Sequence, residues 1–209
     1  MKIISHPLYL APVPLYTKLY SGTALVIDAQ SPFVKQTFRS RTVIATESGT
    51  QSLNIPVVHD GGRTAMRDVR ISDHGNWRHL HWNALEAAYR QSPFFEYYAD
   101  DFRPFYEKKY DYLLDFNEQL RELVCQLIGF TPRVELSTEY LHEEPAGDTD
   151  LRTLIHPKRL CTEALPGYEP RPYYQVFKEK FGFLPNLSIA DLLFNMGPES
   201  LLVLQKCVR

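Results

Sequence analysis

The stretch FVKQTFRSRTVIA, Phe33 to Ala45, places Lys35, Arg39 and Arg41 on alternate positions together with Thr37 and Val43. Side chains on a strand alternate between its two faces. A strand here would stand three cations along one face at intervals of about 7 to 14 Å. Arginine forks match the paired oxygens of phosphate, so such a row can cradle an anion with several charged oxygens, for instance a diphosphate. The competing use is protective, because charges on an edge strand keep it from pairing with other chains. Asp28 closes the apolar run TALVIDA, at the carboxyl end where open α/β sheets bind their ligands.

Two further clusters carry histidine. In NWRHLHWNALEAAY, His79 and His81 are two residues apart, so on a helix they diverge and cannot share a metal. His81 falls on the apolar stripe of Trp77, Leu80, Ala84, Leu85 and Ala88. It is either a core histidine satisfied by a backbone carbonyl, or a general base or acid whose pKa is tuned by burial. GDTDLRTLIHPKR gathers Asp148, Asp150, Arg152, His156, Lys158 and Arg159. Such a segment is a solvated loop, or a mobile lid whose Arg152 and Lys158 close on an anionic substrate. GxGxxG, GxxxxGK[ST], HExxH and GxSxG are all missing from the chain. Cys125, Cys161 and Cys207 have no metal or disulfide spacing, which fits a reducing compartment and a protein without metal or other cofactor.

The elements that must position these groups follow from periodicity. KIISHPLYL reads as a short strand entering a proline-rich corner, PLYTKLYSG as a helix stopped at Gly22, and TALVIDA as a buried strand. The cationic strand pairs with QSLNIPVV across the turn ESGT, and MRDVRIS alternates like another strand. Asn76 caps a helix from Trp77 to Arg90, and Ser92 with Pro93 opens the next. A third helix runs from about Tyr110 to Ile128, burying Leu113, Phe116, Leu120, Leu123, Val124 and Leu127, and Gly129 stops it. RVELSTEYL is a strand and HEEPAGDTD a loop, while YYQVFKEKFGF is ambiguous between strand and helix. Ser188 and Asp191 form a capping box for a helix ending at Gly197, after which Pro198 starts a last short helix. This order predicts an α/β fold, a mixed sheet flanked by helices in one domain. It is sheet-rich over about 1–72, helical over about 76–129, and strand, loop and helices over 130–209.

A chain of 209 residues with 44% hydrophobic and 23% charged residues is an ordinary globular one. Its net charge of −2 offers no global attraction for nucleic acid, so any anion recognition is local. Prolines interrupt the apolar N-terminus and no segment reaches the roughly 20 residues of a membrane span, so the expected place is the cytoplasm. A homo-oligomer is left open.

Several motifs in order resemble the WbqC-like family. They are HPLYLAPVPLYTKL, ALVIDAQSPFVKQTFRSRTVIA, LNIPV, ISDHGNWRHLHWNALEAAYRQSPFFEYYADDF, DLRTLIHPK, YYQVF and GFLPNLSIADLLFNMGP. The opening run departs from the pattern H-Q-P-x-Y-x-P-W: His6 stands where many members carry Gln, and Val13 stands for the Trp. The resemblance implies a link to surface polysaccharide such as O-antigen, and a glycyl or related acyl transfer onto a sugar. Under that reading His81 or His156 deprotonates the acceptor. Asp28, Lys35, Arg39, Arg41, Arg152 and Lys158 hold a nucleotide-linked sugar or another phosphate-bearing donor. The alternative is a protein that binds such a ligand for partner enzymes without turning it over.

Overall fold

The computed structural model describes residues 2–21, 24–58, 61–141, 148–160 and 165–209. Strand β1, Lys2–Ser5, buries Ile3, Ile4 and Ser5 and ends before Pro7. Helix α1, Val13–Tyr20, starts with a proline in its first turn, where a missing N–H costs nothing, and buries Val13, Leu15, Tyr16 and Leu19. Strand β2, Ala24–Ile27, returns parallel to β1 in the register Lys2 to Ala24 and Ser5 to Ile27. Gly22, the expected helix stop, lies outside the described residues. Strands β3, Arg41–Thr46, and β4, Gly49–Asn54, form an antiparallel hairpin closed at Thr46 and Gly49.

Helices α2, Trp77–Tyr89, α3, Phe95–Glu107, and α4, Leu113–Ile128, make up the middle. Asn76 precedes α2 in a left-handed conformation without a side-chain cap. Ser92 turns its Oγ back to the Tyr89 carbonyl, closing α2 instead of opening α3. Gly129, at φ 95°, ends α4 as expected by donating to the Cys125 and Gln126 carbonyls. Strands β5, Val134–Leu136, and β6, Thr149–Asp150, then join β2 and β1 in parallel. The chain ends in α5, Lys178–Phe181, α6, Ile189–Met196, and α7, Ser200–Lys206.

The class is therefore α/β, but parallel and antiparallel strands are separated. One sheet has the order β5-β2-β1-β6 and is parallel throughout, and β3-β4 stands apart from it. One apolar core runs from Ile3 on β1 to Leu204 on α7, with Tyr9, Tyr16, Tyr89, Phe102, Phe116 and Phe194 fully buried. Among the described residues, no helix is long and apolar enough to cross a membrane.

Two expected strands fail for a common reason: their backbone groups find partners outside a ladder. Residues 35–40 are turn and bend, with Gln36 at φ 60° and the Thr37 hydroxyl bonded to the Val34 carbonyl, so the strand begins only at Arg41. MRDVRIS forms a 3₁₀ turn at Met66–Asp68, whose Met66 and Arg67 N–H groups go to the Ser31 and Ala29 carbonyls. The loop expected at HEEPAGDTD gives Thr149 and Asp150 to β6, while residues 142–147 lie outside the described residues. Beyond β6, Leu151, Ile155 and Leu160 are buried, which gives the expected lid segment an apolar anchor on this side.

The expected capping box is half made. Ser188 Oγ accepts from the Ala190 N–H at 3.2 Å, but Asp191 turns into the core. There its Oδ2 accepts from the Tyr173 hydroxyl at 2.7 Å and from Gln175 Nε2 at 2.9 Å. Burial outweighs these bonds and pushes the Asp191 carboxyl up to about 6. A raised acid stabilises the fold below its unfolded pKa, and that stability is lost as pH rises through about 6. Replacing Asp191 by Asn removes the titration. Between pH 4 and pH 8, the stability of Asp191→Asn relative to wild type should shift in the variant's favour by on the order of 2 kcal/mol, read by denaturant melts. A difference that stays constant with pH would show that Asp191 does not titrate in the fold.

Candidate functional site

Chain order reverses at β1, which has β2 on one side and the late-arriving β6 on the other. The crevice outside the carboxyl ends of strands at such a reversal is where open α/β sheets take ligands. Three polar residues follow the three strand ends: His6 after β1, Asp28 after β2, and Arg152 after β6. A cavity of about 470 Å³ opens beside them. His6, Arg39, Arg152, His156, Lys158 and Arg159 line its polar side, and Leu8, Val34, Phe38 and Ile155 its apolar side. The lining carries four cationic side chains and, among the described residues, no carboxylate.

Arg39 is the most buried of the four, at 6% exposure. The left-handed turn at Gln36 swings the chain inward, and Asn117 of α4 fixes it there, donating Nδ2 to the Arg39 carbonyl at 2.8 Å and to the Pro7 carbonyl at 3.3 Å. One guanidinium nitrogen contacts His6 Nε2, and NH1 reaches Thr37 Oγ1 only at 3.4 Å. The buried Nε–H has no acceptor among the described residues. Leaving such a donor unsatisfied costs about 1–3 kcal/mol, and an anionic oxygen in the cavity would satisfy it. Burial lowers the guanidinium to about 10, partly offset by the nearby Asp28, so it is charged at neutral pH.

His6 bridges Arg39 to Ser31, whose Oγ is 3.0 Å from His6 Nδ1. Burial first, then Arg39 and Arg152, press its pKa down to about 2. His156 accepts the Lys158 N–H on Nδ1 at 3.2 Å. Its pKa is also lowered, by burial and then by Lys158, Arg159 and Arg39. The lone pair a general base needs is thus engaged, which leaves Nε2 as an N–H donor in the neutral ring.

Arg152 spends its donors within the protein. Nε and NH2 hold both oxygens of Asp150, and NH1 reaches Asp28 Oδ2 and the Leu141 carbonyl, each at 2.6 Å. The Asp150 hydrogen bonds, against burial, raise its pKa further. Asp28 is fully buried, also accepts the Ser31 N–H on Oδ1 at 3.0 Å, and lies behind Arg152 instead of lining the cavity.

Of the residues expected to carry the site, the structure brings Arg39, Arg152, His156 and Lys158 to one cavity. The cationic row on one strand face does not form. Lys35 is exposed on the turn, and Arg41 opens β3 and donates Nε to Asn54 Oδ1 at 2.7 Å, because the turn at Gln36 cancels the alternation. His81 does not face the cavity either. It is buried on α2 with Nδ1 3.0 Å from the Tyr9 hydroxyl, which in turn lies 2.9 Å from that of Tyr106. Its ring stacks on Tyr9 at 5.7 Å, and burial lowers it to about 4 despite a bond to the Asn54 backbone. This is the satisfied core histidine of the two readings. Sequence reasoning named His6 and Arg159 without giving either a role in the site, and passed over Ser31 and Asn117. His6 could have been found by the strand-end argument that found Asp28, whereas nothing in the helical stripe of α4 marks Asn117.

The Arg152–Asp28 pair yields a stability test. Removing the arginine strands a buried carboxylate, which typically costs about 3–5 kcal/mol. Arg152→Met should therefore destabilise strongly, and adding Asp28→Asn to it should recover much of the loss. Additive effects of the two changes in a double-mutant cycle would show that the pair is not coupled.

Comparisons with known proteins agree with the span of this geometry. Residues 7–164 match the WbqC-like protein family. The chain is 28% identical over 204 residues, covering 87% of each sequence, to a Mycobacterium tuberculosis protein named Uncharacterized protein Rv1507c. No solved structure matches the chain. The matched span contains Asp28, Arg39, Asn117, Arg152 and His156, and the chain belongs to the WbqC-like protein family.

Proposed function

We propose that the protein binds a phosphate-bearing small molecule, a nucleotide-linked sugar in the reading its family suggests, in the cavity around Arg39. The observation that carries this is the buried guanidinium whose Nε–H lacks an acceptor among the described residues, in a wall with Arg152, Lys158 and Arg159. The cationic wall is local in a chain of net charge −2, which suits a small anion better than nucleic acid.

A glycyl or acyl transfer onto a sugar of surface polysaccharide is the catalytic version of the same proposal. It needs a base beside the bound donor. His81 is sealed in the core, and His156 would first have to release the Lys158 N–H from Nδ1. These engagements favour binding without turnover. Turnover of a bound nucleotide-linked sugar or aminoacyl donor would decide for the transferase.

The test is calorimetric titration with pyrophosphate and with nucleotide sugars. Arg39→Lys keeps the charge but loses the fork, and should cost about 1.5–3 kcal/mol, or one to two decades in affinity. Lys35→Ala and Arg41→Ala, both away from the cavity, should leave affinity within about twofold. Undiminished binding by Arg39→Lys would sink the proposal, and an equal loss in the Lys35 and Arg41 variants would restore the strand cradle.

A further inference from the structure

We infer that His6 is a neutral positioning residue that aims Arg39 at the anion, and not an acid or base of the site. Its bearing on ligand rests on the proposed reading of the cavity, but the pairing itself is a matter of donors and acceptors. A guanidinium nitrogen has hydrogens and no usable lone pair, so against Arg39 the His6 Nε2 must accept. The ring hydrogen then sits on Nδ1 and donates to Ser31 Oγ at 3.0 Å. The Ser31 hydroxyl in turn donates to the Asp28 carbonyl at 3.2 Å, and the Ser31 N–H to Asp28 Oδ1. Every polarity in the relay from Arg39 to the end of β2 is thereby assigned. The opposite tautomer, or an imidazolium, would set two donors face to face.

The charged groups around His6 act in the same direction. Arg39 and Arg152 both oppose a proton on the ring, and the Asp28 carboxylate is engaged by Arg152 and by the Ser31 N–H. Burial adds to them and holds His6 neutral throughout the ordinary pH range.

Geometry also says why Arg39 needs this partner. Asn117 ties the backbones at Pro7 and Arg39, and the Tyr9 N–H bonds the Phe38 carbonyl at 2.9 Å, so the two segments are held side by side. Among the described residues, the side chain's hydrogen bonds are the long Thr37 contact and the one to His6. His6 therefore sets the rotation of the guanidinium, and with it the direction of the unpartnered Nε–H. Any side chain with an acceptor for Arg39 and an N–H for Ser31 should serve. Glutamine has both on one planar amide.

Two measurements test this. Imidazole ¹⁵N NMR of the ligand-free protein should show His6 with hydrogen on Nδ1, Nε2 bare, and no titration between pH 8 and pH 5. Pyrophosphate affinity should fall about tenfold in His6→Ala, and His6→Gln should recover most of the loss, with melting temperatures checking that each variant folds. A His6 that titrates in that range, or that carries its hydrogen on Nε2, overturns the inference. So does a folded His6→Gln that binds as weakly as His6→Ala. Failure of the wild type to bind pyrophosphate overturns the anion reading instead, and the ligand-free tautomer still decides the pairing of His6 with Arg39.

Discussion

The ion pair between Arg152 and Asp28 is the interaction on which the site depends. Asp28 follows β2 and Arg152 follows β6, the two neighbours of β1, so the pair spans β1 at its carboxyl end, beside His6. Strand β6 has only two residues and two registered pairs with β1, too few to hold an edge by ladder bonds alone. The fork of Arg152 on Asp150 and its reach to Asp28 and to the Leu141 carbonyl fasten that edge, with Leu151 and Ile155 packed beneath. Burying charges is costly unless they are paired and hydrogen-bonded, and each oxygen of Asp28 has a donor. The ends of three strands are thereby brought to a fixed geometry from which a small cavity can be built.

The second requirement is a way to bury Arg39 beside that pair. Its backbone is positioned from the far side of the core by Asn117 on α4, whose packing on Tyr9 and Trp77 runs through Phe116. Helix α4 serves the site without contributing a side chain to the cavity wall. Its amphipathic stripe is visible in the sequence because packing repeats every 3.6 residues. The one polar residue within that stripe reads as a neutral interruption until the carbonyls it serves are known.

This explains what was legible. Gly129 as the stop of α4, the β2 run ending at Asp28, and the hairpin follow from local rules that the fold does not override. Phe33–Ala45 misleads because parity describes a side chain only while the backbone stays extended. A single left-handed residue, Gln36, sends Arg39 inward and leaves Lys35 in solvent. His81 satisfied the helical period under either of its readings, and periodicity carries no information on whether a buried nitrogen faces a cavity or a tyrosine. Donor and acceptor pairing settles it, and that is non-local: Tyr9 and Tyr106 lie far from His81 along the chain.

The histidines described in detail share a physical character. His6, His81 and His156 are all pressed below their ordinary pKa, burial being the largest cause in each. A neutral imidazole offers one donor and one acceptor in a rigid plane, and His6 and His81 use it to join groups that a hydroxyl alone would not span. The charge of the cavity then comes from arginine and lysine, and Arg39, though lowered to about 10, is charged at neutral pH. Such a wall keeps nearly the same field across the range where histidine would ordinarily switch. For the proposed phosphate ligand, any variation of affinity between pH 5 and pH 8 would then come from the ligand's own second ionisation near 6. A phosphodiester or the diphosphate of a nucleotide sugar lacks that ionisation, so the shape of the pH profile would report which kind of phosphate the cavity holds.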